Sequence, residues 1–193
     1  GDFATNFDLI CEFMRISKKH KQIYLRNIAD ERLFSVLKEK YGVVFKKELK
    51  NWKRHKTLPL WVLDMIQDKI AIRDFGLDNV KIGIYSGRNE LPSNLEIDNE
   101  LCRLLGFYIS EGDASEHTLR FSFGAHEENY INEVREILLK KFGVKTGVYK
   151  KISAVQIEAR SKLLSLLFSE IFKAGRNAKT KRIPEFIYSL PAE

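Results

Sequence analysis

One short stretch decides the fold of this chain: residues 104–113, which have the sequence LLGFYISEGD. Its apolar residues repeat at helical spacing, yet Gly106 lies in the helix interior, where glycine costs about 1 kcal/mol relative to alanine. Gly106 and Ser110, four residues apart, form a stripe of small side chains that lets another backbone approach closely. The stretch therefore predicts a helix that packs along one face against a further element.

The end of this helix carries an unusual pair of residues, Glu111 and Gly112. The last carbonyl groups of a helix have partial negative charge, so a carboxylate is disfavoured there. We expect Gly112 to end the helix in the left-handed conformation and to direct Glu111 outward. A divalent cation bound to carboxylate and carbonyl oxygens together would explain the pair. The alternative is a solvated glutamate beside an ordinary glycine cap.

The residues that follow predict an α+β fold. From Asp98, a candidate helix N-cap, the order is helix, strand, strand, helix, strand, strand, helix. A four-stranded antiparallel sheet with helices on one face satisfies this order. The predicted bounds of the later elements are a strand at 118–123, a helix at 128–142 that ends at Gly143, a hairpin of strands 144–151 and 153–160, and a helix at 161–172.

The other face of this sheet is predicted to be polar, because alternate residues of its strands point away from the core. Such a row is either ordinary solvent surface or a groove that contacts the edges of DNA bases. The residues of this face are Arg120, Ser122, Gln156, Glu158 and Arg160.

Residues 1–95 are predicted to form a separate helical module, with the second domain covering residues 96–193. Three apolar patterns and one basic stretch indicate its helices, and a Gly42 turn between the second apolar helix and the basic helix favours a helix-turn-helix arrangement. A short strand is expected at Val80, Ile82 and Ile84. The helical patterns are Phe7, Ile10, Cys11 and Met14; Leu33, Val36, Leu37 and Tyr41; residues 46–54; and Trp61, Leu63, Met65, Ile66 and Ile70.

The charge of the chain favours a polyanionic partner. Its net charge is +7 and its isoelectric point is near 9.3. Residues 38–56 hold eight Lys or Arg and two Glu, and residues 173–182 hold five more Lys or Arg with no acid. Such clusters release counterions when they bind phosphates, although a Lys-rich solvated face is the alternative. The predicted DNA contacts of the basic helix are Lys46, Lys47, Lys50, Lys53 and Arg54.

Other classes of protein are disfavoured by what the sequence contains. Two cysteines and four scattered histidines lack the spacing of a disulfide framework or a zinc site. No apolar run approaches the roughly 20 residues of a membrane helix, and residues 1–9 lack the pattern of a signal peptide. We therefore expect a cytoplasmic protein, intracellular and without a membrane partner.

Residues 104–112, LLGFYISEG, resemble the nine-residue motif of LAGLIDADG homing endonucleases position for position. Gly106 matches the packing glycine of that motif, Glu111 the catalytic acid and Gly112 the final glycine. The predicted order of helices and strands is similar too, and residues 181–187 (KRIPEFI) resemble the region before a second motif in intein-borne enzymes. The resemblance covers residues 95–193; the module before them is less closely similar to helix-turn-helix insertions of such enzymes.

The resemblance implies a site-specific, metal-dependent endonuclease for double-stranded DNA, the endonuclease part of an intein. In that family two motif helices pack together, and their two acids hold metal ions, normally Mg²⁺, over the scissile phosphates. Carried over, Glu111 and Gly112 would bind the metal, and Lys181 (or Lys179) would stabilise the developing charge. Asp113 would assist near the metal or serve only at the surface.

This sequence departs from the family pattern because it has a single motif. Two acids then require a homodimer or a second half missing from this chain, and we expect an excised half. Residues that perform intein splicing are also absent from residues 1–193. Two alternatives stay open: a non-cleaving transcriptional regulator on the same fold, and an intron maturase that acts on RNA.

Overall fold

The computed structural model describes residues 5–67, 72–77 and 79–190, and it divides the chain into two compact units. We call Asp8–Asn94 the basic unit, and Gly1–Phe7 with Leu95–Glu193 the motif unit. Residues 5–7 thus group with the motif unit, whereas the sequence placed them in the preceding module. The reason is strand β1 (Thr5–Asp8), which pairs with β6 (Asn94–Ile97). Phe7 lies on this strand and not on a helix, and its ring packs 5.8 Å from those of Phe172 and Phe186.

The basic unit contains a sheet as well as helices, so the prediction of a helical module was wrong in this respect. The strand expected at Val80, Ile82 and Ile84 is present over residues 81–84, whereas its partner strands of two to four residues were not predicted. The antiparallel sheet has the order β3-β2-β4-β5 and buries Ile23, Leu25, Ile82 and Leu91. The elements are α1 (Leu9–Ser17), β2 (Ile23–Arg26), α2 (Arg32–Tyr41), α3 (Lys46–His55), β3 (Leu58–Pro59), α4 (Leu60–Ile66), a 3-10 turn (Ile72–Phe75), β4 (Lys81–Ile84) and β5 (Glu90–Pro92).

Helices α2 and α3 form where the apolar periodicity places them, with Gly42 directly after α2. On α3, Leu49 and Trp52 are buried, and Trp52 packs 5.4 Å from Phe45. The third predicted helix corresponds to α4; its last predicted residue, Ile70, lies outside the described residues. No helix in the described part of the chain combines the length and apolar content that crossing a membrane requires.

The motif unit is a mixed α+β structure whose strands pair antiparallel, with the predicted order of elements from Asn99 onward. Its sheet has the order β7-β8-β10-β9. The elements are α5 (Asn99–Glu111), β7 (Gly112–Ala114), β8 (Leu119–Gly124), α6 (Glu128–Phe142), β9 (Gly147–Lys150), β10 (Ala154–Ala159), α7 (Lys162–Leu166), a π-helical turn (Leu167–Ile171) and a 3-10 turn (Glu185–Ser189).

Alternation along β8 and β10 builds the core of the motif unit. Phe121 pairs with Ile157 in the register of the two strands, and both side chains are fully buried. Helices α5 and α6 and the π-helical turn supply further apolar side chains, among them Tyr108, Val134 and Phe168. Intervening strand residues point to the opposite face of the sheet, so that face is polar, as the sequence indicates.

The start of α5 depends on Asp98, whose carboxylate accepts from the backbone N–H of Leu101 at 3.0 Å and from Lys141 Nζ at 2.5 Å. Burial alone would raise the pKa of Asp98, but these two hydrogen bonds and the lysine charge outweigh it, and the pKa is lowered. The Lys141 side chain is only 8% exposed, so this ammonium depends on its carboxylate partner.

We expect Asp98→Asn to lower the free energy of unfolding at pH 7 by about 1–3 kcal/mol, since it keeps a capping oxygen but leaves Lys141 without an anion. A depressed carboxyl pKa stabilises the fold above the unfolded value of about 3.9, and this contribution disappears as pH falls through the folded value. Urea unfolding of both proteins at several pH values measures the difference. A gap that stays constant into acid would contradict the charge assignment, and Glu100→Gln, which breaks the exposed pair with Lys140, serves as control.

Candidate functional site

The end of α5 differs from the prediction at Gly112. Its φ of −92° and ψ of 161° are those of an extended backbone, so the prediction of a left-handed conformation at the end of the helix was wrong. The helix passes directly into β7, and the Gly112 N–H donates to the carbonyl oxygen of Tyr108. Glycine is needed here for space, because an added Cβ would lie 2.3 Å from Cδ2 of Tyr108 and 2.7 Å from its carbonyl oxygen.

Glu111 is the last residue of α5 and its side chain is exposed. No ion pair among the described residues involves its carboxylate. By contrast, Asp113 accepts from Arg120 Nε at 2.8 Å and from its terminal nitrogen at 2.5 Å. The hydrogen bond with Asp113 raises the pKa of the Arg120 guanidinium. Of the two acids at this end of the helix, Glu111 is therefore the one whose oxygens are available.

Lys181 lies at the C-terminal end of α5, where Glu111 is also located. Its Nζ donates to the carbonyl oxygen of Ser110 at 3.1 Å and to that of Tyr108 at 3.4 Å. An ammonium group here offsets the partial negative charge of the helix end. The segment is held by the Tyr108 hydroxyl, which donates to the Gly175 carbonyl at 2.6 Å. Lys179, the alternative, is exposed.

The outer face of α5 is open. An ideal Cβ built on Gly106 meets nothing within 4 Å, so no described part of this chain uses the space that glycine leaves. Ser110 is exposed, and its hydroxyl donates back to the Gly106 carbonyl at 3.1 Å. Cys102 and Ile109 on the same side are only partly buried. The stripe of small residues predicted from the sequence thus has no partner element among the described residues.

The polar sheet face assembles the predicted side chains and adds one more. Gln156 lies between Ser122 on β8 and Tyr149 on β9, and Glu158 lies opposite Arg120. Arg160 donates to the Tyr149 hydroxyl at 3.0 Å, and Gln156 Nε2 to Glu158 at 3.2 Å. Sequence analysis missed Tyr149, because β9 shows no burial alternation and only the pairing register places it on this face.

The five basic residues predicted on α3 are all exposed. Lys53 forms an ion pair of 3.0 Å with Glu31, and Arg54 donates to Asn51 at 2.8 Å. Lys47, Lys50 and Arg54 line a shallow groove along the helix together with Glu48 and Asn51.

The two units differ sharply in charge. The basic unit holds 18 of the 33 Lys and Arg residues but only 11 of the 26 Asp and Glu residues, whereas the motif unit holds 15 of each sign. The whole excess of +7 therefore lies in the basic unit. A polyanion is attracted chiefly to that unit, and α3 is where its positive groups are densest.

Magnesium prefers carboxylate and carbonyl oxygens, and Glu111 with the Gly112 carbonyl supplies donors of that type. They are too few for a complete site. Among the described residues, no three His, Cys, Asp or Glu side chains come close enough together to hold a metal ion. Glu111 and Gly112 alone would therefore not complete a cation site.

No protein-family model matches the chain. It is 30% identical over 193 residues to the DNA polymerase II large subunit of Thermococcus kodakarensis, covering 96% of this chain and 10% of that protein. It is 32% identical over 139 residues to an uncharacterised protein of Methanocaldococcus jannaschii, covering 67% of this chain and 15% of that protein. It is 30% identical over 121 residues to transcription initiation factor IIB of the same organism, covering 61% of this chain and 17% of that protein. The chain spans less than a fifth of the length of each relative.

Proposed function

We propose that this chain is half of a LAGLIDADG homing endonuclease from an intein, which cuts double-stranded DNA at a specific site with Mg²⁺. One observation carries the proposal: an exposed carboxylate, Glu111, ends a helix whose outer face is open at Gly106, with Lys181 held beside it. A purely structural helix end has no need of this combination.

The comparisons support an inserted element. Similar segments occur in proteins with different names, a polymerase subunit and an initiation factor, and form 10% and 17% of them. A segment shared by such different hosts is expected to carry its own function. Polymerase or initiation activity is therefore not part of the proposal, while the association of these hosts with DNA agrees with a DNA substrate.

Two surfaces would bind the DNA. The lysines of α3 would neutralise phosphates, which supplies most of the sequence-independent affinity. On the motif unit, Ser122, Gln156 and Arg160 present groups that can donate to or accept from base edges in the major groove. Arg120 on this surface forms an ion pair with Asp113, so it could contact a base only if Asp113 moved away.

In the proposed reaction Glu111 and the Gly112 carbonyl would hold Mg²⁺. The bound ion supplies Lewis acidity and lowers the pKa of water. Lys181 stabilises the negative charge that grows on the phosphate oxygens. Its hydrogen bonds to the Ser110 and Tyr108 carbonyls keep the ammonium at this end of α5.

A second acid would come from another copy of the chain or from a second half that packs on the open face of α5. Gly106 and Ser110 on that face allow close approach of a second helix.

The proposal is tested by incubating the chain with a library of long random duplexes, with Mg²⁺ or with a chelator, and sequencing the ends. We expect double-strand breaks within one family of related sequences, only when Mg²⁺ is present, and a particle mass of two copies on DNA. Tight duplex binding with no cleavage in any metal would instead indicate the non-cleaving regulator or a half that lacks its second acid, and the mass of the particle in solution would distinguish these two. Stronger competition by structured RNA than by duplex DNA would indicate the maturase.

A further inference from the structure

The basic unit contains a cleft that the proposed function does not use. It lies between the outer face of the sheet and α3, and its volume is about 390 Å³, within the range of sites that bind small organic groups. No Asp or Glu is among its described lining residues, which are Tyr24, Arg26, Asn27, Asn51, His55, Thr57 and Tyr85.

Two tyrosines form the floor of the cleft. Tyr24 pairs with Gly83 across β2 and β4, and Tyr85 follows β4 on the same face. Their ring centroids are 5.3 Å apart, and 68% of Tyr85 is exposed. Burial raises the pKa of the Tyr24 hydroxyl, so this group stays protonated and can donate. Tyr85 thus presents an open ring face above a supporting tyrosine.

Arg26 holds the turn that carries Tyr85. Its guanidinium donates to the carbonyl oxygens of Ile84, of Tyr85 at 3.4 Å and of Gly87 at 3.0 Å, and to Glu90 at 3.0 Å. Glycine at position 83 makes room for it, because an added Cβ would lie 2.5 Å from Arg26 Nε. The position of the Tyr85 ring is therefore set before any ligand arrives, which reduces the entropy lost on binding.

The wall of the cleft is formed by α3, through Asn51 and His55. Asn51 also lines the basic groove that contains Lys47, Lys50 and Arg54, so cleft and groove adjoin at this residue. Amide and imidazole groups can both donate and accept hydrogen bonds. Beside a phosphate-binding groove, such groups suit the edge of a nucleobase.

We propose that this cleft binds an unpaired nucleotide of a DNA strand whose phosphates lie along α3. The base stacks on the exposed face of Tyr85, and its edge meets Asn51, Asn27 or His55. Aromatic platforms beside a positively charged groove bind single strands because every base offers a ring face. In a duplex those faces are already covered by neighbouring bases. This inference rests on the proposed DNA-binding function of the same unit.

The test measures the affinity of the full-length chain for a fluorescently labelled single strand and for the duplex of the same sequence. Tyr85→Ala should weaken single-strand binding about tenfold or more and leave duplex binding unchanged. Tyr85→Phe, which keeps the ring, should retain wild-type affinity. The matched control is Tyr188→Ala, an equally simple change at a 74% exposed tyrosine of the motif unit. Far-UV circular dichroism checks that each variant is folded.

If Tyr85→Ala bound the single strand with unchanged affinity, the inference would be overturned. An equal loss of affinity for single strand and duplex would also overturn it, because Tyr85 would then contact the DNA backbone and not an unpaired base. A double variant, Lys47→Gln with Lys50→Gln, separates this failure from failure of the proposed function. It should weaken both DNAs and reduce the salt dependence of binding. Weak, variant-independent binding of both DNAs would reject DNA binding by the basic unit and the cleft proposal with it.

Discussion

We expect Glu111→Gln to lower the rate of Mg²⁺-dependent DNA cleavage by about 1,000-fold or more. The amide keeps the size of the side chain but loses the charge that binds the cation, and several kcal/mol of transition-state stabilisation are lost with it. Because the Glu111 side chain is exposed at the end of α5, the substitution should leave the fold intact. The measurement is the rate of linearisation of a plasmid that carries the selected site.

Duplex affinity separates a catalytic role of Glu111 from a structural one. The variant should bind the site as well as the wild type does in a buffer with Ca²⁺ or a chelator. Glu136→Gln, an exposed glutamate on α6, is the matched control and should cut at the normal rate. If Glu111→Gln cuts normally, Glu111 is an ordinary solvated residue, and the metal assignment of Glu111 and Gly112 fails together with it.

The largest expected loss of stability is at Tyr108. Tyr108→Ala should lower the free energy of unfolding by about 3–5 kcal/mol, the usual cost of deleting a buried ring. The ring is fully buried and packs edge-to-face with Phe168 at 5.0 Å and with Phe121 at 6.1 Å. Burial raises the pKa of its hydroxyl, which therefore stays protonated and donates to Gly175.

Urea unfolding followed by far-UV circular dichroism measures this loss. Tyr108→Phe keeps the ring but leaves the Gly175 carbonyl without its donor, so it should cost about 1–3 kcal/mol. The exposed Tyr188→Ala provides the baseline. A Tyr108→Ala protein as stable as that control would show that the ring does not support the motif unit. Tryptophan fluorescence is unsuited to the measurement, because Trp52 and Trp61 are both in the basic unit.

Tyr108 and Glu111 are three positions apart, and different features of the sequence identify them. Tyr108 belongs to the apolar stripe of α5 and is identified as core by its spacing. Glu111 is conspicuous because it breaks the rule that carboxylates avoid helix C-termini. Its availability, however, depends on Asp113 being paired with Arg120 while Glu111 is not, which is a matter of strand pairing between β7 and β8.

Features that depend on neighbouring residues could be predicted from the amino-acid sequence. The order of elements after Asp98, the Asp98 cap, the α6 stop at Gly143 with its φ of 64° and the alternation along β8 all follow from local periodicity and capping. The concentration of positive charge around α3 is likewise a property of the sequence.

Features that depend on residues far apart in the chain could not be predicted and became known from the folded structure. Lys181 reaches Ser110 across 71 positions, and Arg26 reaches Glu90 across 64. Strands β2, β3 and β5 of the basic unit form through pairing with their neighbours, and Gly112 is extended because it begins strand β7, which pairs with β8. These features depend on packing and on long-range hydrogen bonds, and such contacts cannot be predicted from local sequence patterns.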